Sequence, residues 1–282
     1  MILVAGATGT VGRELVAELA RRGAKVRALS RNPGAAAFPA GVETVAADLG
    51  DPETLGLALA GIERVFMLAT GSARLDHETN LVAAARRAGA ARLVKLSALT
   101  VEDGTADDII TRWHRAAEQA VTGSGLAWTI LRPGAFMSNA LSWAGMIRRQ
   151  GQVFAPFPDV RTAAIDPADV ATCAAAALLE DGHAGQVYPL TGPELISVRD
   201  QAATLSEVLE REIGITEIPP EAARQRMIHA GTPAQIADAV LTTLTDAATG
   251  PGAFLQPAVR QLTGLPPRTF RDWAARHAAT FR

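Results

Sequence analysis

The feature that most constrains the fold of this chain lies in its first twelve residues. A short apolar run, Ile2-Leu-Val-Ala5, leads straight into Gly6-Ala-Thr-Gly9-Thr-Val-Gly12, and a helical pattern begins at Thr10. A glycine motif carries weight when it follows a strand and opens a helix. Gly6 permits the sharp turn, Gly9 lets the backbone approach a bound group without a Cβ in the way, and Gly12 lets the helix pack closely on the strand. Free N–H groups at such a helix start, with their positive dipole, hold phosphate. The backbone and hydroxyl groups of Thr8, Thr10 and Val11 belong to the same cradle. The plainer alternative is a glycine-rich turn that holds nothing.

The rest of the first half alternates in the same way. Strand patterns at Ile2–Ala5, Lys25–Ser30, Glu43–Ala46, Arg64–Leu68, Arg92–Leu96 and Ala127–Leu131 enclose helix patterns at Thr10–Arg22, Pro52–Ala60, Arg74–Ala88 and Asp107–Thr122. Most of the strands are apolar runs, as in a parallel sheet covered on both faces. Repeated strand–helix–strand units imply right-handed crossovers. The expected fold class is therefore α/β, a Rossmann-type doubly wound parallel sheet. Gly23, Gly61, Gly89 and Gly123 stand where the four helices should stop.

After Pro133 the rhythm changes. A helix pattern at Ser138–Arg149 leads to a Pro/aromatic stretch, then Asp166-Pro-Ala-Asp169 opens an Ala-rich helix to Leu179, and a last helix covers Thr269–Ala279. Asp before Pro at a first turn is a helix start, so Asp166 and Asp169 read as caps rather than catalysts. The expected division is 1–135 plus about 160–182 for the dinucleotide domain, with about 136–159 and 183–282 forming a smaller mixed substrate lobe.

The end of the second strand decides the dinucleotide. NAD sites place a carboxylate there for the ribose 2′-hydroxyl, whereas NADP sites place a cation for the 2′-phosphate. The tip reads Ser30-Arg31-Asn32-Pro33, with no acid. Arg31 can give charge-assisted hydrogen bonds to the phosphate and Ser30 one more, so NADP(H) is expected over NAD(H); a solvated Arg31 is the alternative. Asp48 suits either the adenine amino group or a helix cap. Leu49, Ala69 and Thr70 complete the expected cofactor contacts.

Composition narrows the chemistry. The one tyrosine, Tyr188, is followed four places on by Gly192, so the Tyr-x-x-x-Lys pair of common ketone reductases is excluded. A single cysteine, Cys173, excludes disulfides and paired-thiol redox chemistry. Five scattered histidines offer no short metal-ligand spacing, and no flavin motif is present. Of these, His77, His183, His229 and His277 read as surface residues without partners. Net charge −2 speaks against a nucleic-acid partner. The longest apolar run, Cys173 to Leu179, is too short to span a bilayer, and a strand starts at Met1, so a cytoplasmic protein without membrane partner is expected. A homo-oligomer is left open.

The block Gly123-Ser-Gly-Leu-Ala-Trp-Thr-Ile-Leu-Arg132-Pro-Gly-Ala-Phe136-Met-Ser-Asn139, with the glycine motif, the "VRALSRNP" strand tip, and the closing "LTGLPPRTFRDWA", resembles the NmrA-like atypical short-chain reductases. That family includes NADPH-dependent quinone reductases, a triphenylmethane dye reductase and redox-sensing regulators. The resemblance puts His114 at the superfamily's catalytic Lys position and Ile110 at its Tyr position, and sets Ser97 at the position of its Ser. Both members of the catalytic pair are thus replaced.

Reducing a ketone leaves an alkoxide whose conjugate acid has a pKa of about 16, while a quinone leaves a phenolate-type anion of about 10. That gap of about 6 units is roughly 8 kcal/mol less oxyanion to stabilise. A quinone or polycyclic aromatic acceptor is therefore the expected substrate, with His114, titrating near neutrality, as hydrogen-bond donor or late proton source. A structural histidine is the alternative. Phe136, Met137, Trp143, Phe154 and Phe157 are the expected aromatic and apolar wall, with Asn139 orienting a substrate oxygen or capping a helix. Two other functions remain open at this point: a tailoring hydroxylase acting on aromatic polyketides through a hydroquinone, and a non-catalytic NADP(H) redox sensor.

Overall fold

The fold was obtained as a computed structural model, which describes residues 1–35, 37–71, 73–246 and 249–282. Six strands come first: β1 (Ile2–Val4), β2 (Val26–Ser30), β3 (Glu43–Ala46), β4 (Arg64–Met67), β5 (Arg92–Leu96) and β6 (Ala127–Pro133). Between them run α1 (Thr10–Arg21), α2 (Pro52–Ala58), α3 (Arg74–Arg87) and α4 (Ile109–Thr122). Then follow α5 (Ala144–Gln150), β7 (Gln152–Ala155), β8 (Arg161–Thr162), α6 (Pro167–Leu179), β9 (Gln186–Leu190), β10 (Ile196–Ser197), α7 (Val198–Leu209), β11 (Gly214–Glu217), α8 (Pro220–His229), α9 (Ala234–Asp246), α10 (Ala258–Thr263) and α11 (Phe270–Phe281).

The central sheet has seven strands in the order β3-β2-β1-β4-β5-β6-β9, every pair parallel. Two apolar layers sandwich it. Val11, Leu15, Leu19 of α1 and Val170, Ala174, Leu178 of α6 cover one face, and Leu55, Leu59, Leu81, Ala85 and Val121 cover the other. The doubly wound α/β fold class is as the alternating pattern implies. Order reverses between β1 and β4, the switch point beside which ligands bind at the carboxyl strand ends.

Local signals explain most boundaries. Asp51 caps α2 by accepting from Glu53 N at 3.1 Å, and Asp166 caps α6 through Ala168 N at 2.9 Å. Gly23, Gly61 and Gly89 adopt positive φ, the left-handed turn that ends a helix. Gly123 does not; its φ is −79°, and the left-handed turn falls instead at Gly125.

The later half departs from expectation in two places. The helix pattern at 138–149 is a 3₁₀ turn over Met137–Trp143 followed by α5. The sheet does not end at 182: Gln186–Leu190 forms its seventh strand, β9, on β6. Pro189 inside that run argues against a central strand, and the sheet accommodates it by placing β9 at the edge. α10 also returns to the sheet, with Ala258, Val259 and Leu262 in the α1/α6 layer. The remainder, β7 with β11, β8 with β10, and helices α5, α7 and α11, packs around Trp273, Phe270, Phe281, Ile147 and Leu205. Trp273 stacks between Phe270 and His277, at ring centroids of 5.3 and 4.5 Å.

Candidate active site

The glycine loop carries a geometric demand that only glycine meets. Gly6 sits at φ +72°, and a Cβ on Gly12 would lie 2.0 Å from the Gly6 carbonyl oxygen. Gly9 is the N-cap of α1 and provides no side-chain acceptor. The first-turn N–H groups of Thr10, Val11 and Gly12 are therefore left for an outside acceptor, which fits a dinucleotide pyrophosphate. Arg13, not singled out from sequence, pins the loop by donating from Nε to the Thr8 carbonyl at 2.8 Å. Its only sequence signal is its place one turn after Gly9.

Ser30 is buried at the tip of β2, and its Oγ accepts from Asn32 N at 3.1 Å, leaving its own hydrogen to donate. Arg31 beside it is exposed. Asp48 accepts from Gly50 N at 2.8 Å, closing a turn before α2 whose cap is Asp51. Asn80 donates to the Leu49 carbonyl at 2.9 Å, fixing the backbone there. Ala69 is buried and Thr70 exposed, just past β4.

Behind this rim lies a polar network that apolar patterning conceals. Lys95 on β5 and Glu78 on α3 form a fully buried ion pair, with Nζ 2.9 Å from each carboxylate oxygen and 3.0 Å from the Leu96 carbonyl. Burial pushes the Lys95 pKa down, while Glu78 beside it pushes the other way. Ala69 N lies 3.4 Å from Glu78 Oε1, which ties the pair to the segment after β4.

Ser97 Oγ donates to Glu118 Oε1 at 2.5 Å, and Arg132 clamps the same carboxylate through Nε at 2.9 Å and Nη2 at 2.5 Å. These hydrogen bonds raise the Arg132 pKa. The Ser97 hydrogen is committed to Glu118, so toward a substrate this side chain offers lone pairs only. Ser97, expected from the resemblance as a catalytic residue at the superfamily's Ser position, thus stands at the end of β5 bonded to Glu118.

His114 is buried, and its Nε2 lies 3.2 Å from Arg74 Nη1. A guanidinium only donates, so Nε2 accepts and the hydrogen sits on Nδ1. That Nδ1 is the one buried side-chain N or O without a partner among the described residues. Burial, with Lys95 and Arg74 adding repulsion, holds the His114 pKa well below 6.5. The expected titration near neutrality is thereby overturned: His114 is a neutral donor and not an imidazolium. Arg74 also lies over the Trp113 ring, 5.0 Å from its centroid.

A depressed histidine pKa makes the fold acid-sensitive. Below about pH 6.5 the unfolded chain binds a proton that the folded chain refuses, so stability present above that pH falls as pH drops, with a slope approaching about 1.4 kcal/mol per pH unit. Denaturant titrations at pH 7.5 and 5.5 are expected to show a smaller acid loss in His114→Leu than in the natural chain. Equal losses would mean that His114 takes up its proton alike in the folded and unfolded chains.

An apolar cavity of about 530 Å³ opens at the carboxyl ends of β5 and β6. Its walls include Leu99, Ile110, Phe136, Asn139, Val240 and Leu244. Of the expected substrate residues, the structure brings Phe136 and Asn139 to this cavity and leaves four elsewhere. Met137 is buried in the core of the smaller lobe, and Trp143 packs against that same core. Phe154, on β7, lies under Arg226 at 4.5 Å from the ring centroid. Phe157 lines a separate depression beside Arg161. The α9 contribution was missed because nothing local in 234–246 announces it.

Asp166 and Asp169 behave as helix-start residues. Arg276 pairs with the former and Arg268 with the latter. Cys173 is sealed in the sheet–helix layer, burial pushing its thiol up to about 12. The histidines read as unpartnered surface residues have partners in three cases. His183 Nδ1 meets Tyr188 OH at 2.9 Å, His229 Nδ1 the Gln225 carbonyl at 2.7 Å, and His277 Nδ1 the Trp273 carbonyl at 2.8 Å. No cluster of three or more His, Cys, Asp or Glu suited to a metal occurs among the described residues. None of the described helices is long and apolar enough to cross a membrane.

A parallel α/β sheet, an uncapped helix behind a glycine turn, and an apolar cavity at the neighbouring strand ends define a dinucleotide-dependent oxidoreductase. A family profile described as NAD(P)H-binding matches residues 6–181. Over its whole length the chain is 46% identical to the (4-alkanoyl-5-oxo-2,5-dihydrofuran-3-yl)methyl phosphate reductase of Streptomyces griseus, covering 99% of that protein. It is 37% identical to the NAD(P)H azoreductase of Xenophilus azovorans, covering all of this chain and 99% of the relative. The NADPH-dependent quinone oxidoreductase of Escherichia coli, solved in complex with NADPH, superposes with a TM-score of 0.84 at 26% identity, covering 98% of this chain and 99% of that one. The chain belongs to this NAD(P)H-binding family, in the NmrA-like group that its motifs resemble, and is an NAD(P)H-dependent oxidoreductase.

Proposed function

We propose that the chain uses NADPH to reduce a conjugated acceptor, a quinone in the first instance, whose two-electron product is a delocalised anion. The observation that carries this reading is the lack of a proton source among the residues that the superfamily comparison sets at the catalytic positions. Ile110 is apolar and lines the cavity, His114 is neutral, and Ser97 is bonded to Glu118. NADPH supplies a hydride when bound. The glycine loop and the start of α1 hold the pyrophosphate, with Ser30 and Arg31 on the 2′-phosphate. Phe136, Leu99 and Ile110 exclude water above the acceptor, and His114, buried and not among the residues that line this cavity, brings it no proton.

A second acceptor class is favoured by the relative from Streptomyces griseus. The compound in its name has a ring double bond conjugated to two carbonyls. Hydride addition there leaves a carbanion flanked by both, which needs no strong acid for the same reason. The azo group in the name of the second relative points the same way, toward acceptors activated before they meet the enzyme.

The test is NADPH oxidation across naphthoquinones, acyl butenolides and simple aliphatic ketones, with and without oxygen. Quinones or butenolides should turn over in both conditions and aliphatic ketones should not; brisk reduction of ketones would overturn the reading. In the same assay, Arg31→Ala should lower kcat/KM for NADPH by about 10- to 100-fold while leaving NADH within a few-fold, the range of a lost hydrogen bond to a charged group. An unchanged NADPH-to-NADH ratio would assign the 2′-phosphate to other residues.

A further inference from the structure

We propose that the acceptor cavity selects against negative charge, so that its substrate carries no phosphate, carboxylate or sulfonate near the reacting ring. This rests on the hydride-transfer reading above and adds the charge class of the acceptor.

Four carboxylates border the cavity. Asp103, Asp107 and Asp108 lie on the segment between β5 and α4, and Asp246 ends α9. No Lys, Arg or His is among the lining residues. Two arginines stand nearby: Arg112 Nη1 is 3.3 Å from Asp107 Oδ1, and Arg115 Nη2 donates to the carbonyls of Asp103 and Ala106, both at 3.1 Å. Four carboxylates against two guanidiniums leave two negative charges uncompensated at the mouth. Asp108 is turned inward as the cap of α4, accepting from Ile110 N and Thr111 N at 2.9 and 3.0 Å. Asp103 accepts from Thr105 N at 2.9 Å and its hydroxyl at 2.6 Å, bonds that hold its carboxyl below the usual range and keep it ionised.

The rest of the lining is uncharged, apolar side chains with a few threonines and Asn139, so nothing on the walls offsets the field of these carboxylates at the entrance. An anionic acceptor meets this field on entry and finds no guanidinium fork on the walls to receive it, the usual recognition of a phosphate. The contrast with the Streptomyces griseus relative is direct. That protein is named for a phosphate ester, whereas this cavity suits the same kind of conjugated ring without the charge.

The experiment compares two naphthoquinones that differ only at the end of an alkyl tail, a propionate and its methyl ester, so that ring potential is unchanged. Turnover with NADPH is read first. Binding of each to the complex with oxidised NADP is then read by tryptophan quenching. The ester should exceed the acid by at least about tenfold in kcat/KM and in affinity at low salt. The ratio should fall toward one at roughly 0.5 M NaCl, and also in the Asp107→Asn/Asp246→Asn double variant. Equal binding of ester and acid, or a ratio indifferent to both salt and the double variant, overturns the proposal, as does failure of the ester to bind. Ester-selective binding without turnover supports the charge rule and overturns the quinone reading, so the two fail separately.

Discussion

Replacing Lys95 by methionine is expected to cost about 3–5 kcal/mol of stability, measured by denaturant unfolding, and to weaken NADPH binding with it. The side chain is fully buried, and so is its partner Glu78. Without the ammonium, the Glu78 carboxylate loses both 2.9 Å contacts and keeps only the Ala69 N–H at 3.4 Å, with Arg74 at the end of its reach. An uncompensated carboxylate in that layer costs far more than the packing of four methylenes gains. A loss below about 1 kcal/mol would mean that the site takes in water and that the pair is dispensable. The double variant Lys95→Met/Glu78→Leu separates charge from shape, because removing both ions removes the penalty. It should regain most of the stability. Since Glu78 also meets the segment after β4, the single variant should disturb cofactor binding in a way the double variant only partly repairs.

This pair also marks the limit of what sequence patterning reveals. β5 reads Arg-Leu-Val-Lys-Leu, an apolar run with one lysine, and α3 carries Glu78 among arginines and alanines. Neither local pattern says that the two side chains point at each other, because the pairing is set by how α3 lies on the sheet. The same holds for Arg132 and Glu118, and for the carboxylate they share with Ser97. What is legible is what depends on neighbours in the chain: the strand–helix alternation, the caps at Asp51 and Asp166, and the glycine loop. The cavity is the opposite case. Its wall is assembled from the 98–110 segment, the stretch after β6 and a helix more than a hundred residues later. Aromatic content after Pro133 therefore located the region but misassigned Met137, Trp143 and Phe154, whose surroundings are set by α7, α8 and α11, and Phe157, which faces another depression. The histidine at 114 was found through the family resemblance, yet its protonation could not be, since Arg74 and Lys95 reach it only in the fold.

The glycine loop allows the second large effect to be divided into two. In Gly12→Ala the new Cβ would sit 2.0 Å from the Gly6 carbonyl oxygen, 2.7 Å from its carbon and 2.8 Å from Ala7 Cα, all backbone atoms. No rotamer relieves that contact, so α1 must move off the strand by about an ångström. Leu15, Val16 and Leu19 move with it out of the layer they share with α6. The expected result is a loss of about 1–3 kcal/mol of stability, the usual cost of overpacking. NADPH binding should weaken by at least about a hundredfold as the first-turn N–H groups leave their positions, a loss of about 2.7 kcal/mol. Gly9→Ala should behave differently. Gly9 has φ −80° and ψ 177°, ordinary extended backbone, and a Cβ there meets only the Gly6 carbonyl oxygen at 3.3 Å. Its fold should survive nearly unchanged, because that one contact needs only a few tenths of an ångström to relax. The methyl would nevertheless stand where the pyrophosphate approaches the helix start, so calorimetric titration should find NADPH affinity reduced in a protein of near-normal stability. Normal NADPH binding by Gly12→Ala would move the phosphate site away from α1, and normal binding by Gly9→Ala would mean that the pyrophosphate never comes close to that Cα.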